Sequence, residues 1–178
     1  MSQAENGQME GTLEDADGRW RLRFTRPLGH PPEKVWRAIT EPQHLQAWFP
    51  QRISGDWEVG GVVTFHSDLV PDFQGEVLAC SPPSLLEFRW GTDVIRLEID
   101  ERDGGCTLTL LDTIDEIGKA ARDGAGWHEC LDLLALHLDG ERPAWPPGQR
   151  WAQVHPGYVK AFGPEGATIG RPPGYEPA

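Results

Sequence analysis

The sequence predicts an α+β domain in which a curved antiparallel sheet of about six or seven strands wraps around a long C-terminal helix, with two short helices after the first strand. Three observations carry this. Between residues 51 and 114 the chain reads as a series of alternating-pattern segments separated by Gly and Pro breakers at hairpin spacing. The stretch that follows places Trp127, Leu131, Leu134, Ala135 and Leu138 at i, i+4, i+7, i+8 and i+11, one continuous helical face. The other helical signal, at residues 33–39, comes before those strands. A long amphipathic helix after a single sheet must bury its apolar face across that sheet, and a strongly curved sheet leaves room for a cavity beneath it.

The elements follow in order. Trp20, Leu22 and Phe24 alternate with Arg19, Arg21 and Arg23, the pattern of a strand with one buried face. Pro31 and Pro32 fill the entry turn of a short helix carrying Val35, Trp36 and Ile39 on one side. Pro42 ends it and starts a second short helix through Leu45 to Phe49. Residues 51–58 form a weak strand, and Gly60-Gly61 turns the chain into 62–67. Segments 73–80, 85–90, 94–100 and 106–114 complete the meander, broken at Pro82-Pro83, Gly91-Thr92-Asp93 and Asp103-Gly104-Gly105. The terminal helix runs from Ile117 to Leu138, loosened in its first part by Gly124 and Gly126, and stops at Gly140.

Composition divides the chain into three parts. Residues 1–18 hold Glu5, Glu10, Glu14, Asp15 and Asp17 without a Lys or Arg before Arg19, and read as a disordered acidic leader. Residues 19–139 are the folded domain. Residues 140–178 contain eight of the sixteen prolines, yet also Trp145, Trp151, Tyr158 and Phe162. This extension is therefore expected to be partly helical around 148–162 and to pack on the domain or on a partner subunit, which leaves a homodimer through it open. The net charge of −12 argues against nucleic acid and anionic membrane as partners. Signal-peptide features and apolar runs of spanning length are absent, so no membrane insertion is expected. Cys80, Cys106 and Cys130 are odd in number and far apart, which fits free thiols in a cytoplasmic protein.

A set of ordered motifs then becomes specific. Pro32-x-x-Val35-Trp36-x-Ala38-Ile39-Thr40 comes first, followed by Trp48-Phe49, Gly60-Gly61, Gly75-Glu76-Val77-Leu78 and Pro82-Pro83-x-Leu85-x-x-x-x-Trp90. Gly126-Trp127-x-x-x-Leu131 closes the series. Together they resemble the START-like superfamily of the helix-grip fold, also called SRPBCC. Within it they are similar to the branch named after the activator of the heat-shock-protein-ninety ATPase. The resemblance spans about residues 19–139. It implies a deep apolar cavity between sheet and terminal helix, used elsewhere in the superfamily for lipids, polyketides or plant hormones.

Strand parity and the helix face together give the candidate lining of that cavity: Trp48, Phe65, Phe73, Phe88, Trp90, Leu97, Leu110, Trp127, His128, Leu131 and Leu134. Each of these side chains also suits a solid core. Among polar residues, His66, Glu76, Arg89, Asp112 and His128 lie beside cavity candidates, with His128 the best placed for a ligand contact. Simple alternation turns His66, Glu76, Arg89 and Glu98 outward. No catalytic residue is assigned, because an acid–base pair would need Asp112 or His128 to turn inward. Histidine and cysteine spacing supports no metal site, and no cofactor is expected.

Three functions remain. The chain reads foremost as a binding module for a small hydrophobic or amphipathic molecule, held by burial at about 25 cal/mol per Å². The branch name suggests a co-chaperone-like protein-interaction or stress-response factor instead. A cyclase or hydrolase acting in the same cavity is the third.

Overall fold

The computed structural model describes residues 10–170. Its sheet has eight antiparallel strands: β1 (Thr12–Ala16), β2 (Arg19–Leu28), β3 (Arg52–Ser54), β4 (Val62–His66), β5 (Phe73–Ser81), β6 (Leu85–Trp90), β7 (Asp93–Arg102) and β8 (Gly105–Ile114). Their order in space is β1-β2-β8-β7-β6-β5-β4-β3. Helices α1 (Pro32–Thr40) and α2 (Pro42–Leu45) connect β2 to β3, while α3 (Ala120–Leu138) follows β8 and α4 (Gln149–Phe162) follows α3. This is the helix-grip arrangement, with one strand more than the sequence pattern indicated.

The extra strand lies in the stretch expected to be a disordered leader, and that expectation fails for Thr12–Ala16. These residues pair with β2 along their whole length. Asp17 and Gly18 take positive φ values of 56° and 86°, which suits a tight hairpin, and Asp15 Oδ1 accepts the Gly18 N–H at 3.0 Å. Glu14 accepts from Arg21 Nε and Arg23 Nε at 3.0 Å each. Composition alone misleads here because the balancing arginines sit on the neighbouring strand. Residues 1–9 of the leader, and 171–178 of the extension, lie outside the described residues.

One hydrophobic core holds the domain together. Leu22 and Phe24 of β2 contribute to it, whereas Trp20, expected on the same face, is 40 % exposed at the strand's start. Val35, Ala38 and Ile39 seat α1, whose entry turn carries Pro31 and Pro32. Trp48 Nε1 donates to Ala38 O and Trp57 Nε1 to Thr40 O, each at 2.9 Å, so two indoles from the chain after α2 tie back to α1. Gly75 lies where a Cβ would come 2.0 Å from Arg89 O, which explains the glycine in the β5 motif.

Helix α3 crosses the sheet with Trp127, Leu131, Leu134 and Leu138 in the core. It runs unbroken through Gly124 and Gly126, contrary to the loosening expected there. Gly124 instead provides close approach: a Cβ on it would lie 3.3 Å from the rings of Tyr158 and Phe162 on α4. Helix α4 thus packs on its own domain, burying Trp151 and Tyr158. Buried Glu129 of α3 accepts the Trp151 N–H at 2.7 Å and the Gly148 N–H at 3.1 Å, satisfying donors at the start of α4. No helix among the described residues is long and apolar enough to cross a membrane.

Candidate functional site

The expected deep cavity is largely filled by the side chains proposed to line it. Trp48, Phe65, Phe88, Leu97, Leu110, Leu131 and Leu134 are each at most 2 % exposed and belong to the continuous core. Aromatic packing explains the filling. Phe65 stacks on Phe73 at 5.0 Å between centroids and on Phe49 at 6.1 Å, and Phe49 in turn approaches Phe88, Trp90 and Trp127 at 5.8–6.3 Å. Large rings at these separations take up the space between sheet and helix.

A cleft of about 250 Å³ stays open at the end of the sheet–helix interface near the start of α3. Of the predicted lining residues, Trp90 and Trp127 border it. Their rings lie 5.3 Å apart at 54°. Trp90 closes β6 and is oriented by the donation of its Nε1 to Gln51 Oε1 at 2.9 Å. Pro50 and Gln51 form one rim, Ser67, Leu69 and Val70 of the β4–β5 loop another, and Arg122, Asp123, Gly126 and Cys130 of α3 the third. Leu69 and Val70 are 61 % and 39 % exposed, an apolar edge facing solvent. Gly126 has no side chain to narrow the opening beside Trp127.

Polar chemistry gathers behind Trp127. Its Nε1 donates to Oδ2 of Asp112, which is wholly buried, and Oδ1 of Asp112 has no hydrogen-bond donor. Oxygen atoms of Asp93, Asp112 and Asp123 lie within 4.8 Å of one another. Burial pushes the Asp112 carboxyl well above the usual carboxylate range, and the neighbouring charges of Asp93 and Asp123 add to this. Burial also raises Asp123, against the opposing hydrogen bond that Arg122 Nε donates to its Oδ1 at 2.7 Å. Lys119 Nζ sits 3.4 Å from Asp93 Oδ1. Asp123 lines the cleft, so this trio touches the open space through one member.

His128, expected at the cavity, turns the other way. Its Nδ1 meets the Tyr158 hydroxyl at 2.9 Å, and that hydroxyl also accepts the Gly11 N–H at 3.1 Å. With the hydroxyl donating, Nδ1 is the acceptor and Nε2 carries the proton. Burial lowers the His128 pKa, consistent with a neutral ring. Asp112 and His128 therefore do not share a cavity. His66 lies on the outer sheet face between Ser54 Oγ and Asp72 Oδ2, 2.7 Å from each. Glu76 and Arg89 form a half-exposed pair at 3.5 Å on that sheet. At the far end of α3, His44 Nδ1 and His137 Nε2 approach to 2.9 Å beside Lys34, a meeting that local spacing did not reveal.

Sequence reasoning missed Asp93, read as part of a turn, and Asp123, to which it gave no role. A signal for the trio existed in β8, where Leu108 and Leu110 share parity with Asp112.

The sequence profile described as Activator of Hsp90 ATPase homolog 1-like protein matches residues 29–139. No curated protein matches the chain. Among solved structures, a conserved protein of unknown function from Enterococcus faecalis is similar with a TM-score of 0.72 and 21 % identity, over 88 % of this chain and 92 % of that one. CalU16 from Micromonospora echinospora superposes with a TM-score of 0.69 and 21 % identity, over 86 % and 97 % of the two chains. DynU16, from the dynemicin biosynthetic locus, gives 0.62 and 25 % identity, over 71 % of this chain and 51 % of that one.

Proposed function

The chain belongs to the family of Activator of Hsp90 ATPase homolog 1-like proteins, and from that premise we propose that it binds a small, planar, hydrophobic or amphipathic molecule in the cleft that Trp90 and Trp127 border. The observation that carries the reading is the cleft itself. Two inclined indoles in contact, oriented by hydrogen bonds to Gln51 and Asp112, form its floor beside an apolar loop edge and a polar rim of Arg122 and Asp123. A volume of about 250 Å³ accommodates a small aromatic body, not a long lipid chain. Burial against the indoles supplies affinity, and the rim selects polar substituents. The relative encoded in the dynemicin biosynthetic locus supports a small-molecule role.

Native mass spectrometry of the gently purified protein, followed by organic extraction, tests this directly. A stoichiometric co-purifying aromatic molecule, displaced in Trp90→Ala, is the expected result. A library of planar aromatics that leaves tryptophan emission and the NMR signals of Trp90 and Trp127 unchanged would sink the reading.

A further inference from the structure

We propose that the cleft also carries out proton transfer, with Asp123 as the base that touches the ligand and Asp93 as its positioning residue. This rests on the binding reading above and goes beyond it. The substrate class is a planar aromatic or conjugated carbonyl compound with an acidic C–H bond next to a group that can accept the released electron pair.

Asp123 projects from the first turn of α3 into the same space that Trp90 and Trp127 border, and its side chain is only 11 % exposed. A carboxylate there is poorly hydrated, and a ring lying against the indoles is held within its reach. Proton transfer to a positioned, desolvated base contributes about 10²–10⁴-fold in rate. The groups around Asp123 suit such a role. Arg122 Nε occupies Oδ1 and fixes the carboxylate plane. Asp93 of β7 sets a like charge beside it and Asp112 of β8 lies in the same cluster, while Lys119 pairs with Asp93 at 3.4 Å. The Oδ1 atom of Asp112 is buried and takes no hydrogen bond from a donor among the described residues, an open point in the cluster behind the cleft. The thiol of Cys130, which borders the same cleft, is raised by burial and is not the competing base.

The probe is 5-nitro-1,2-benzisoxazole. In the step, the Asp123 carboxylate takes the C3 proton and the C–H electron pair becomes the second π bond of a nitrile. The N–O bond breaks, its electron pair leaves as a phenolate, and Asp123 then gives its proton to solvent. The expected rate is about 100-fold or more above acetate at equal carboxylate concentration. Asp123→Asn removes the excess. The wild-type pH–rate profile inflects above the ordinary aspartate value of about 3.9, and Asp93→Asn moves the inflection down, a change that a merely structural role would not produce. A wild-type rate no greater than acetate's overturns the proposal, as does an excess that survives Asp123→Asn. Binding is read separately through quenching of tryptophan emission by 5-nitroindazole, an unreactive isostere. Quenching without turnover overturns proton transfer and leaves the binding reading standing; absence of both removes the two together.

Discussion

The indole Nε1 of Trp127 donates to Oδ2 of Asp112 at 2.8 Å, and this single buried bond joins the aromatic cleft to the acidic trio behind it. It fixes the ring against which a ligand would lie, and it donates to a wholly buried carboxyl whose other oxygen has no donor among the described residues.

Trp127→Phe keeps the aromatic volume but deletes the donor, leaving both oxygens of Asp112 without one. Loss of a buried partner costs about 1–3 kcal/mol. Chemical denaturation at pH 7 is expected to show that loss. Trp127→Phe combined with Asp112→Leu should recover part of it, because both polar partners are then gone. Equal stability of the single variant and wild type would show that the bond contributes nothing.

Asp112→Asn is expected to stabilise the protein at neutral pH. The folded carboxyl is raised above its unfolded value of about 3.9, so below that pH both states hold the proton and the group is neutral in its effect on the pH slope. As pH rises, the unfolded chain releases the proton first, and stability falls towards the folded value. Asparagine has no proton to lose. Its advantage in melting temperature should grow from pH 4 to pH 8. An advantage independent of pH would contradict the assignment.

His128 gives the opposite slope. Its folded pKa is lowered, so native stability is complete above about pH 6.5 and is lost as pH falls and the unfolded ring protonates first. Urea midpoints measured between pH 8 and pH 5 should decline for wild type and decline less for His128→Gln. Parallel slopes in the two proteins would count against the buried neutral ring.

Glu129→Ala removes the acceptor for the Trp151 and Gly148 N–H groups at the start of α4. The cap is worth about 1–2 kcal/mol. Limited proteolysis should cut faster within residues 140–148, with α3 and the sheet intact. Unchanged cleavage would mean that Trp151 and Tyr158 alone hold α4 in place.

Much of the fold was legible because period alone reports burial on one face. The alternation in residues 94–100 and 106–114 became β7 and β8, and the helical face from Trp127 to Leu138 became α3. Strand β1 was not legible, since Glu14 looks solvated until Arg21 and Arg23 are placed beside it. The same holds for Gly124: in sequence it is a helix breaker, and in space it is the gap that admits Tyr158 and Phe162.

The sequence by itself determined the architecture, the family resemblance and the aromatic wealth of the interior, because these depend on local period and on residue type. Only the tertiary structure decided which aromatics fill space and which leave it. Phe49, Phe65, Phe73 and Phe88 pack into a solid interior, while Trp90 and Trp127, oriented by Gln51 and Asp112, end that aromatic cluster at the cleft. The acidic trio likewise exists only after folding, when β7, β8 and α3 bring residues 93, 112 and 123 within 4.8 Å. Packing geometry and non-local electrostatics are sums over pairs distant in the chain, and no local pattern encodes them.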